Sequence, residues 1–66
     1  MQLTQREIEV LNLIINDELS SSEISQRLGI AIGTVDTHRK KLLAKFQTNN
    51  SVGLTKRAIQ QNFINL

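Results

Sequence analysis

The sequence predicts an all-α fold of four helices, and three observations predict it. Proline is absent while helix-favouring Leu, Ile, Gln, Glu, Lys and Arg recur throughout. Apolar residues return at three- and four-residue spacing within each segment. Asn16-Asp17, Ser20-Ser21, Gly29 and Gln47–Ser51 punctuate those segments with turn and capping chemistry. Sixty-six residues make one small domain, taken as residues 1–66. Its core supplies no more than roughly 3–5 kcal/mol of net stability. There is no cysteine, so neither a disulfide nor a thiolate metal ligand reinforces it. No uncharged apolar run approaches the roughly 18 residues of a membrane span, and no signal peptide is visible, so the expected location is cytoplasmic.

The first helix opens at Leu3-Thr4-Gln5-Arg6-Glu7, where Thr4 can cap and Glu7 stands three residues on. Leu3 and Ile8 can form a hydrophobic staple, and Ile8, Leu11 and Ile15 with Val10, Leu13 and Ile14 make a wide core face. Asn16-Asp17-Glu18-Leu19 breaks the pattern, Asn and Asp being tolerant of the left-handed backbone that ends helices. Ser20 or Ser21 then caps a short second helix carrying Ile24 and Leu28 inward. Gly29 fits a left-handed position just past its end, and Ile30 plugs the turn into the core. A third helix over about 32–46 follows, with Val35, Leu42 and Phe46 as its apolar seam. After the turn at Gln47–Ser51, a fourth helix over about 52–62 packs Val52, Thr55 and Ile59, with Leu54 and Ala58 as a smaller second stripe. Gly53 weakens it slightly.

Two helices joined through a tight glycine turn, the second of them basic, have the plan of a helix-turn-helix. Charge supports a polyanion as partner. Residues 1–26 hold Arg6 against five acidic residues, whereas residues 27–66 hold seven Lys and Arg against Asp36 alone. Opposite its apolar seam the third helix presents Gly33, Asp36, Thr37, Lys40 and Ala44, a mixture of small and polar residues that lets its backbone approach another surface. In a DNA major groove, Lys40 can donate to guanine O6 and N7, and Thr37 can touch a thymine methyl or hydrogen-bond a base. Asp36 can accept from cytosine N4 or restrain a neighbouring Lys or Arg. Thr34, Arg39, Lys41 and Lys45 are placed to grip phosphates, as are the amides around Ser21 and Ser22 at a helix N-terminus.

Catalysis finds no support. The one histidine, His38, lies beside the apolar seam without a cysteine companion and reads as a structural side chain. No Ser/His/Asp grouping, glycine-rich phosphate loop or metal-ligand spacing occurs, so no enzyme, metal or cofactor is expected.

The joint pattern Leu3-Thr4, Arg6-Glu7, Glu9-Val10-Leu11, Glu23-Ile24, Leu28-Gly29-Ile30, Thr34-Val35, His38 and Lys45-Phe46 resembles the LuxR-type helix-turn-helix, also called the NarL/FixJ or GerE type. The resemblance covers nearly the whole chain. It implies a transcription-regulating domain whose third helix enters the major groove of double-stranded DNA. Asp36, Thr37 and Lys40 then face bases, and Ser21, Ser22, Thr34 and Lys45 the backbone. It also implies a homodimer through the fourth helix, with Leu54 and Ala58 as contact, and RNA polymerase as a further partner. Such a module is usually the C-terminal effector of a longer regulator, most often a two-component response regulator, with no membrane or small-molecule site of its own.

Departures from the pattern are specific. Asp17-Glu18 occupies the first turn where glycine is usual, Ser25 replaces alanine, and Ala31 stands where serine often caps the third helix. Gln47-Thr48 replaces a common Gly-Val pair, Ser51 a common arginine, and Asp36 a common lysine or glutamate. Two other readings share some of these residues. A promoter-binding region of a sigma factor also has the Leu-Thr, Arg-Glu, Glu-Ile and Gly-Thr-Val elements, although His38 and Lys45-Phe46 favour the LuxR type. A helix-turn-helix that pairs with protein in place of DNA is the other, and its binding would be insensitive to salt.

Overall fold

The computed structural model describes residues 2–63. Four helices follow in order, α1 (Gln5–Ile15), α2 (Ser21–Leu28), α3 (Ile32–Lys45) and α4 (Ser51–Gln60). Local chemistry sets their starts. The Thr4 hydroxyl accepts from the Glu7 amide at 3.1 Å while the Glu7 carboxylate accepts from the Thr4 amide at 2.8 Å. Ser20 and Glu23 repeat this reciprocal box at α2, so Ser20 is the cap. The Asn50 side chain accepts from the Gly53 amide at 2.7 Å to open α4. Ala31 precedes α3 and provides no side-chain cap.

Each helix is followed by a residue in the left-handed region, and only one of these residues is glycine. Gly29 has φ 68°, as expected, but the turn after α1 places Glu18 there at φ 53°, not Asn16 or Asp17. Gln47 at φ 55° closes α3, where the Thr48 amide reaches back to the Leu43 carbonyl at 3.0 Å. Asn62 at φ 63° closes α4 in the same manner, through the Phe63 amide and the Ala58 carbonyl at 2.9 Å. Glutamine in this conformation costs roughly 1–2 kcal/mol relative to right-handed backbone. Gln47→Gly should therefore raise stability by about 0.5–1 kcal/mol, visible as a higher thermal midpoint. An unchanged or lower midpoint would mean the strain is negligible.

α3 is the central helix and packs against α1, α2 and α4. The core is Val10, Leu11 and Ile14 of α1, Ile24 of α2, Val35 and Leu42 of α3, Phe46 just after it, and Leu54 and Ala58 of α4. Phe46 also meets Phe63 edge to face, with ring centroids 5.5 Å apart.

Two expected faces are corrected. On α1 the inward row is Glu7, Val10, Leu11 and Ile14, the spacing of a single helix face, so Ile8 is left 36 % exposed. On α4, Leu54 and Ala58 are buried while Val52 is 77 % exposed and Ile59 36 %. A Cβ on Gly53 would overlap the Thr48 hydroxyl, so the helix start presses its glycine against the preceding turn. That close approach accompanies the orientation in which Leu54 and Ala58 face inward. Gly53 is thus required by packing, which its cost in helix propensity conceals.

Candidate nucleic-acid interface

The outward side of α3 is built from the same register that buries Val35 and Leu42. Because those two point inward, Gly33, Asp36, Thr37, Lys40 and Ala44 point outward, and all five are exposed. Thr34 and Lys41, seven residues apart on one face, are exposed beside them. Among the described residues Asp36, Lys40 and Lys41 make no ion pair, so their charges face solvent. A Cβ built on Gly33 would meet nothing within 4 Å, and its φ is ordinary, so neither packing nor backbone conformation asks for glycine there. Ser22 is exposed and Ser21 half-buried in the first turn of α2. These exposed positions come from α2 and α3, the two helices joined through Gly29.

Two basic residues expected on this surface are held elsewhere. Arg39 is half-buried and lies with Ile14, Leu43, Asn49, Asn50, Ser51 and Leu54 in the cleft between α3 and the start of α4. Lys45 is tied into the fold. Its Nζ donates to Glu7 Oε1 at 2.8 Å and to the Gln2 carbonyl at 3.2 Å. The Glu7 side chain is only 4 % exposed and that of Lys45 36 %. The Lys45 hydrogen bond, and then the Thr4 amide, hold the Glu7 carboxyl below the usual carboxylate range against the opposing effect of burial. In the free domain the Lys45 ammonium therefore stands in an ion pair with Glu7 while its side chain stays 36 % exposed. The expected dimer contact is corrected as well, since Leu54 and Ala58 are 2 % and 0 % exposed within the monomer.

Ile32, at the first residue of α3 and outside the apolar seam, is 49 % exposed. Sequence reasoning missed the Glu7–Lys45 pair. The signal for that pair was present in the register Glu7, Val10, Leu11, Ile14, which carries a carboxylate onto the apolar face. His38 is half-buried in a cleft with Thr4, Glu7, Lys41 and Lys45, and its Nδ1 is buried without a hydrogen-bond partner. No group of three or more His, Cys, Asp or Glu able to hold a metal occurs among the described residues. No helix among them is long and apolar enough to cross a membrane.

A family model described as bacterial regulatory proteins of the luxR family matches residues 1–58. The chain belongs to the luxR family. This luxR-family domain is similar to the transcriptional regulatory protein MctR of Rhizobium johnstonii, 37 % identical over 62 residues that make up 94 % of the chain and 28 % of MctR. It is also similar to the C4-dicarboxylate transport transcriptional regulatory protein DctR of Rhodobacter capsulatus, 41 % identical over 50 residues, 76 % of the chain and 25 % of DctR. The crystal structure of ChrA, a response regulator in a heme-sensing two-component system, superposes with a TM-score of 0.89 at 31 % identity, over 97 % of the chain and 31 % of ChrA. The chain thus spans 28 % and 25 % of the length of the two curated relatives. The luxR-family domain is a helix-turn-helix DNA-binding domain and not an enzyme.

Proposed function

We propose that this luxR-family domain is the C-terminal effector of a two-component response regulator and regulates transcription by sequence-specific binding of double-stranded DNA. α3 lies in the major groove with Asp36, Thr37 and Lys40 at the base edges. Thr34, Lys41 and the first turn of α2 at Ser21 and Ser22 contact phosphates. The observation that carries this reading is the outward arc of α3, where exposed side chains free of ion pairs among the described residues surround a glycine the fold does not need. The greater length of MctR, DctR and ChrA, and the two-component setting of ChrA, support placing the domain within a longer regulator.

A single module buries only about 600–1,000 Å² on DNA, so two copies on paired half-sites bind far better than one. With Leu54 and Ala58 occupied in the core, the dimer contact moves to the stripe Val52, Thr55 and Ile59, whose apolar ends stand exposed. Transcriptional activation by such a dimer would add RNA polymerase as a partner.

Selection of duplexes from random sequence, followed by gel shifts at several salt concentrations, tests the reading. The logarithm of affinity should fall linearly with the logarithm of salt, by about 0.9 per phosphate neutralised. Salt-insensitive binding, or no enrichment of any sequence, would overturn it. Gly33→Ala makes the complementary check. It should stabilise the free domain by about 0.4–1 kcal/mol while weakening the complex, because the added methyl occupies the approach to the bases. Equal affinity of both proteins for the selected duplex would show that no base edge comes close to residue 33.

A further inference from the structure

We propose that Thr37 reads DNA through its methyl group and not through its hydroxyl, so that the bound site carries a thymine against the first turns of α3. The inference rests on the docking of α3 in the major groove and names the base chemistry that this docking meets. Thr37 is exposed, and its Oγ1 donates to the carbonyl of Gly33, one turn earlier, at 3.0 Å. A hydroxyl has a single proton. With that proton given to the helix backbone, Thr37 has none for guanine N7 or O6, adenine N7 or thymine O4, and its oxygen is left able only to accept, from adenine N6 or cytosine N4, a contact that Thr37→Val would abolish.

Geometry then selects the other branch of the side chain. Threonine is branched at Cβ, so anchoring Oγ1 on the preceding turn also fixes the position of the methyl. With the oxygen held on the backbone of an exposed residue, the methyl is the branch of the side chain left without a partner. Residue 33, the neighbour that would normally flank it four positions earlier, has no side chain, and the space a Cβ would fill there is empty to 4 Å. A flat base edge can therefore reach the methyl directly. Of the four bases only thymine presents a methyl group in the major groove. Asp36 and Lys40, neighbours of Thr37 on the same outward side of α3 and without ion pairs among the described residues, remain for the adjacent base pairs.

The test uses a duplex selected from random sequence, in which each thymine in turn is replaced by 2′-deoxyuridine, a change that removes only the methyl. The wild-type domain should lose about three- to tenfold in affinity at one thymine of each half-site, the effect of one apolar carbon losing its contact. Thr37→Val, which keeps the methyl and discards the hydroxyl, should bind within about twofold of wild type. Thr37→Ser, which keeps the hydroxyl and discards the methyl, should lose the same three- to tenfold factor and become indifferent to the uridine substitution. Circular dichroism verifies that both variants retain the helical fold. The reverse order, with Thr37→Ser equal to wild type and Thr37→Val weakened, overturns the proposal, as does indifference of the wild type to uridine at every position. Failure of the docking itself is distinguishable, because then no sequence is enriched and the inference falls with it.

Discussion

Lys40→Ala should weaken binding to the preferred duplex by roughly 1–3 kcal/mol and relax discrimination at one base pair. That range is about a tenfold to hundredfold loss. The expectation follows from where the side chain stands. Lys40 is exposed at the middle of the outward arc of α3 and makes no ion pair among the described residues, so its three donors are free for guanine O6 and N7. A lysine that only touched phosphate would behave differently, lowering affinity for every sequence alike and reducing the salt slope by about one. Competition by duplexes with single-base substitutions separates the two. Unchanged affinity together with unchanged base preference would refute the placement of α3 in the groove with this face inward.

Lys45→Ala should act on the fold before it acts on DNA, lowering stability by about 1–3 kcal/mol near neutral pH. The substitution leaves the nearly buried Glu7 carboxylate with the Thr4 amide alone, and a buried charge that loses its partner is costly. In a domain whose core supplies roughly 3–5 kcal/mol, that loss leaves a measurable unfolded fraction. The pH dependence carries a defined sign. Glu7 has a lowered pKa when folded, so the stability it contributes is fully present above the unfolded value of about 4.3. It is lost as pH falls through the lower, folded value. The stability gap between wild type and Lys45→Ala should therefore be widest near pH 7 and narrow in acid, below about pH 4. Denaturant titrations at several pH values measure it. A constant gap, or none, would show that the ion pair contributes nothing. The salt slope of DNA binding should stay the same in this variant, since the ammonium already faces a carboxylate.

What was legible in the sequence is what depends on residues within one or two helical turns of each other. Thr4 with Glu7, and Ser20 with Glu23, announce their capping boxes at a three-residue interval, and both form. Gly29 marks the turn before α3, and the seam of Val35, Leu42 and Phe46 follows from helical period alone. The outward arc of Gly33, Asp36, Thr37 and Lys40 is the complement of that seam, so the candidate site was readable for the same reason.

Most misplaced features depended on how one helix is rotated against another. Glu7 and Lys45 are 38 positions apart, and although the register of α1 carries the carboxylate inward, nothing local names the end of α3 as its partner. Arg39 lies near the seam and can swing to either side, and packing draws it toward α4. Two stripes of α4 compete for the core, and packing buries Leu54 and Ala58 with Gly53 set close against Thr48. Glu18 and Gln47 adopt left-handed backbone that their side chains do not advertise, because closing the chain onto the next helix compels it.

By itself, then, the amino-acid sequence determined the four helices, their caps and which side of α3 stays outward, since each is settled by neighbours three or four positions away. Only the tertiary structure decided that Lys45 belongs to Glu7 and that Leu54 and Ala58 are core. Those outcomes turn on helix rotation and side-chain rotamer, and both are fixed by the shape of the surfaces that meet.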